Sequence, residues 1–125
     1  MPKEHWKTEP DEHDFPAAAD YLSLMLPKGA VEATVAALRA APLSNGLAKD
    51  LLRASVLPLL GHKNVHVRKD LAKVKAGLKL SPVLLVRGSL DSGRPLTVAD
   101  GYHRICASHH IDEDAVIPCR IVDLG

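Results

Sequence analysis

Residues 82–87, Pro82-Val83-Leu84-Leu85-Val86-Arg87, place four apolar, β-prone side chains in unbroken succession between a proline and an arginine. A half-exposed strand alternates apolar with polar residues, and an amphipathic helix repeats every three or four. A short continuous run is the pattern of a strand buried inside a sheet. Such a strand needs neighbours, and the next residues provide one. Asp91-Ser92-Gly93 is a turn signal, after which Pro95-Leu96-Thr97-Val98-Ala99 reads as the return strand of a hairpin. A helix over about 102–109 and a strand over 117–122 follow. Upstream, Val67, Leu71, Val74 and Leu78 recur at helical spacing, with Arg68, Lys75 and Lys79 on another face and Lys69 and Lys73 beside them. Val56 to Leu60 reads as a brief extended segment interrupted by Pro58. The resulting order of strand, helix, strand, strand, helix, strand predicts a small α/β domain with a mixed sheet.

The first dozen residues are polar, contain Pro2 and Pro10, and read as a mobile arm on which Trp6 alone has a side chain suited to docking. Asp14 is an expected N-cap, with a helix over 15–26 carried by Phe15, Ala18, Ala19, Leu22, Met25 and Leu26. Pro27 and Gly29 end it. Val31, Val35 and Leu38 mark a second helix that stops near Pro42, so residues 1–44 are expected to form an arm and a helical hairpin packed on a core of residues 45–125. Asn45-Gly46 reads as a turn leading into a short helix. At 125 residues, with 46% apolar and 25% charged side chains, the chain suits one folding unit with a single core. No apolar stretch approaches the roughly 20 residues of a membrane span and the N-terminus lacks a leader's apolar segment, so a cytoplasmic protein is expected. Cys106 and Cys119 are too few and too far apart for a disulfide framework or a zinc site, and are expected to be reduced and buried.

Chemistry concentrates where the return strand meets the following helix, at Asp100-Gly101-Tyr102-His103-Arg104. The first turn of a helix has backbone N–H groups without intrahelical partners and a partial positive charge, so it accepts anions. Gly101 presents no side chain to obstruct a phosphate. His103 and Arg104 supply donors, Arg104 as a charge-assisted fork. Asp100 can cap the helix or help hold a hydrated metal ion that bridges phosphates. The set suits a nucleotide polyphosphate, although an Asp-Gly turn before a helix is also a common capped turn.

Three stretches together resemble the ParB N-terminal/sulfiredoxin superfamily: Leu80-Ser81-Pro82-Val83-Leu84-Leu85-Val86, Ala99-Asp100-Gly101-Tyr102-His103-Arg104-Ile105-Cys106-Ala107, and Ile117-Pro118-Cys119-Arg120-Ile121-Val122. The resemblance spans roughly residues 47–124. It implies a nucleoside triphosphate with Mg²⁺ bound at Asp100, Gly101, Tyr102, His103 and Arg104, with Pro82 at the head of the neighbouring strand. Lys49, Asp50 and Arg53 lie on a short helix that approaches the pocket in related folds. There Asp50 would serve as a carboxylate base or a metal-holding carboxylate and His103 as a second catalytic group, in hydrolysis or phosphoryl transfer, although charges of this kind more often line a solvated helix face. Replacing Arg104 with Ala is expected to remove nucleotide binding and leave the fold intact. Tyr102 stands where sulfiredoxins carry their catalytic Cys. A phenol cannot replace a thiolate, which argues against sulfinate reduction, and Cys106 lies a helical turn away.

Lys79 and Arg87 flank the buried strand, where they would complete an anion pocket, although basic residues at strand ends are usually solvated. The basic stripe around Arg68 invites duplex DNA contact, yet a net charge of +1 gives no overall electrostatic footprint, and the four aromatic side chains (one Trp, one Phe, two Tyr) argue against base stacking. His109-His110 with Asp112, Glu113 and Asp114, and the pair His62 and His66, lack the ligand geometry of a metal site. The alternative function is a non-catalytic, DNA-associated or regulatory protein-binding module. Pairing of two chains fits either reading.

Overall fold

The computed structural model describes residues 4–124. Its elements are α1 (Asp14–Leu22), α2 (Lys28–Ala40), β1 (Ser44–Leu47), α3 (Ala48–Ser55), α4 (Val65–Lys75), β2 (Val83–Val86), β3 (Thr97–Asp100), α5 (Tyr102–Ile111) and β4 (Val116–Val122). The four strands form a mixed sheet in the order β1-β4-β2-β3. β4 runs parallel to β2, whereas β1 is antiparallel to β4 and β3 antiparallel to β2. The expected α/β class with a mixed sheet is what the chain forms.

The unbroken apolar run is explained by layers on both faces of the sheet. Successive strand residues point to opposite faces. Val83 and Leu85 pack with Leu51, Val67, Ile105 and Ile117 on the side of α3, α4 and α5. Leu84 and Val86 pack with Phe15, Ala18, Leu22, Val31 and Leu38 of α1 and α2 on the other. All four strand residues are buried, which at roughly 1.5–3 kcal/mol each makes β2 the thermodynamic centre of the domain.

Several expectations are corrected. Asn45-Gly46 is not a turn but the middle of β1, opposite Pro118 and Ile117. Gly46 lets the strand pass close to Leu51, whose Cδ2 would lie 2.9 Å from a Cβ there and would have to shift. Val56 to Leu60 pairs with no strand; Val56 takes a left-handed conformation (φ 56°) that caps α3. The first helix ends at Leu22 rather than residue 26, because Leu24 and Met25 bond back three residues to Tyr21 and Leu22 and the residue before Pro27 is disfavoured in helical geometry. Asp14 does not cap that helix from outside; it lies buried in the first turn, where it accepts hydrogen bonds from the Ser81 hydroxyl at 2.7 Å and the Asp11 N–H at 3.2 Å.

The described part of the arm is docked. Leu80 N–H donates to the His5 carbonyl and Lys7 N–H to the Leu80 carbonyl, while Trp6 packs on the core. Glu4 accepts a hydrogen bond from the buried Ser108 hydroxyl. A backbone segment beside a buried strand must find partners for its polar groups, and the arm provides them. Among the described residues no helix is long and apolar enough to cross a membrane.

Candidate anion site at the first turn of α5

β3 delivers the chain to the site through an irregularity. Leu84 pairs with Asp100 but Leu85 with Val98, so Ala99 is the extra residue of a bulge that re-aims the end of the strand. Gly101 then takes φ +109°, and a Cβ there would collide with Val83 Cγ1. The glycine is therefore imposed by backbone conformation and by packing on β2, quite apart from any ligand. The N-cap residue of α5, Gly101, brings no capping side chain, and the N–H groups of a helix's first turn have no intrahelical partner.

Arg104 is a structural hub. Its Nη2 donates to Asp100 Oδ2 at 2.9 Å and to the Pro82 carbonyl at 3.4 Å, and stands 3.8 Å from Asp14 Oδ2. Its side chain is only 16% exposed. Burial pushes the Asp100 carboxyl up, and Arg104 beside it pulls the other way. Pro82 thus contributes a carbonyl that holds the arginine. Tyr102 points elsewhere, donating its hydroxyl to the Pro58 carbonyl and pinning the loop between α3 and α4.

His103 does face the site. Its ring lies 4.6 Å from that of His66 on α4. Burial lowers its pKa, with the charges of His66 and Arg104 acting in the same direction and Asp70 opposing them. Here α4, rather than the short helix of Lys49, Asp50 and Arg53, completes the site. His66, Lys69, Asp70 and Lys73 converge with Asp100, Gly101, His103 and Arg104 on a cavity of about 220 Å³. Their positions, i, i+3, i+4 and i+7, are one face of a helix. The sequence places Lys69 and Lys73 beside the basic stripe around Arg68, and their helical spacing with His66 and Asp70 is the signal that joins them to the turn.

A second cavity of about 370 Å³ adjoins the first, lined by Lys7, Asp11, His13, Leu78, Lys79, Leu80 and Ser81, and sharing Asp70, Lys73 and Arg104 with it. Asp11, His13 and Asp14 place one ligand atom each within 4.8 Å of one another. However, Lys7 already neutralises Asp11 at 2.6 Å and lowers its pKa, while Ser81 and Arg104 face Asp14.

The structure does not bring Lys49, Asp50 and Arg53 to the turn. They line a separate concavity with Leu47. There Lys49 pairs with Asp114 at 2.7 Å, which raises its pKa, and Arg53 approaches Asp50 at 3.4 Å. Arg87 pairs with Asp123, away from the turn. His110 contacts the Leu60 carbonyl and meets His62 edge-on. Cys106 is fully buried in the core and burial pushes its thiol up, the opposite of an activated nucleophile; Cys119 is likewise buried and raised.

Comparison of the chain with protein-family models, with curated proteins and with solved structures returns no match.

Proposed function

We propose that the cavity between α4 and the first turn of α5 binds the phosphate groups of a nucleoside triphosphate. The observation that carries this is the convergence of Lys69 and Lys73, with His66 and His103, on a helix N-terminus whose N-cap residue, Gly101, has no side chain to cap it. Exposed lysines repel one another unless something anionic lies between them, and a helix N-terminus favours the same charge. The resemblance of the surrounding segments to the ParB/sulfiredoxin superfamily points to the same ligand.

The donors suit phosphates better than a resident cation. Asp100 is committed to Arg104, and the remaining carboxylate, Asp70, stands among Lys73, Arg104, His66 and His103. Mg²⁺ would therefore enter with the triphosphate, where it neutralises part of the phosphate charge. Lys69 and Lys73 would neutralise the rest, His103 would donate to a phosphate oxygen, and Arg104 would fix the turn through Asp100 and Pro82.

Thermal unfolding with ATP, CTP, GTP and ADP, each with and without Mg²⁺, tests the reading. A ligand at a hundredfold its Kd stabilises the native state by about 2.7 kcal/mol. At least one nucleotide should raise Tm, and Lys69→Ala with Lys73→Ala should remove the rise without lowering the Tm of the free protein. The absence of a shift with all four would overturn the proposal.

A further inference from the structure

We infer that Asp70 is the general base of a nucleoside triphosphate hydrolysis carried out in this groove, a step that rests on the phosphate-binding reading above. The carboxylates around the two cavities are not equivalent. Asp100 is bonded to Arg104, Asp11 to Lys7 and Asp14 to Ser81. Asp70 alone among them makes no side-chain hydrogen bond with the described residues; it feels Arg104, Lys73, His103 and His66 only through their charges. A partly desolvated carboxylate without a partner is costly to keep ionised, and burial raises its affinity for a proton despite those cations.

Its position gives that proton affinity a use. Asp70 lines both cavities, with Lys73 and Arg104. A terminal phosphate held at the first turn of α5 and a water molecule in the adjoining cavity would meet across its carboxylate. Asp70 takes a proton from the water as the water oxygen forms a bond to the γ-phosphorus. The bond from that phosphorus to the bridging oxygen breaks, and its electron pair leaves with the nucleoside diphosphate. Inorganic phosphate and the diphosphate are the products, and Asp70 returns its proton to solvent. Lys73, which lines both cavities beside Asp70, flanks the transferred group where negative charge spreads over its oxygens.

The experiment uses the full chain and its Asp70→Asn variant, with two measurements on each: nucleotide affinity, from the thermal shift with ATP and Mg²⁺, and steady-state release of inorganic phosphate. The variant is isosteric and removes a charge that repels phosphate, so its affinity should be unchanged or tighter. Its turnover should fall by about 10²–10⁴-fold, the usual contribution of a positioned base. If the wild-type protein shows no nucleotide shift, the phosphate-binding reading fails and this inference with it. If it binds nucleotide but releases no phosphate, or if Asp70→Asn turns over like the wild type, the base assignment alone is overturned. It is equally overturned if Asp70→Asn loses affinity and turnover together, since the residue then serves binding.

Discussion

Arg104 reaches back one helical turn to Asp100, 2.9 Å away, and in doing so ties the start of α5 to the end of β3. The same guanidinium touches the Pro82 carbonyl and faces Asp14 of α1. A residue expected to act as a free phosphate fork is thereby a tie between a strand end, a neighbouring strand and a helix on the far face.

Arg104→Ala should consequently destabilise the protein in the absence of any ligand, contrary to the expectation of an intact fold. It would leave Asp14, with a side chain 3% exposed, and Asp100, 19% exposed, without their cation. Breaking such a buried pair from one side costs about 3 kcal/mol. Urea unfolding of the free protein checks this; an unchanged midpoint would show that the arginine is free to serve a ligand alone.

Gly101→Ala should cost about 3 kcal/mol. The methyl group meets Val83 Cγ1 and the backbone stays at φ +109°, so overpacking and dihedral strain add. Gly29→Ala, where a Cβ meets nothing within 4 Å, should be neutral or slightly stabilising. The two denaturation midpoints, measured side by side, separate a backbone requirement from a general intolerance of substitution.

The arm should release as pH rises. Burial raises the Glu4 pKa above its ordinary 4.5, against the opposing hydrogen bond from Ser108. A carboxyl whose folded pKa is raised contributes stability that is complete below 4.5 and is lost as pH climbs through the folded value. Trp6, the chain's single tryptophan, packs half-buried beside Leu80 and reports docking by its emission. Its emission should shift to the red between acid and neutral pH, and Glu4→Gln should abolish that dependence. A pH-independent spectrum in the wild type would contradict the arrangement.

How much of this was legible depends on whether local or distant residues decide. β2 announces itself, because a run buried on both faces needs no partner to be recognised. The turn at Asp100-Gly101 and the period of α4 are also local signals, and both were readable. β1 was hidden because Asn45-Gly46 carries a turn signal in isolation, and only pairing with β4, some 70 residues away, overrides it. The site was half legible for the same reason. His103 and Arg104 stand in the turn itself, but whether Arg104 points at a ligand or at Asp14 is settled by α1, and whether Asp50 or Asp70 joins the turn is settled by which helix packs against α5 at its N-terminal end.

The strand order carries a consequence for how the chain acquires its structure. β4 lies between β1 and β2 although it follows both in sequence, so until the last of the described strands arrives β1 has no strand neighbour and β2 has only β3. During synthesis the first hundred residues can form helices and the β2–β3 hairpin, but β1 must wait with its hydrogen-bonding groups unmet. Non-local pairings of this kind pay their loop-closure entropy before any contact rewards it, which slows folding. A chain cut short before Val116 would thus leave β1 unpaired and keep an open edge on β2.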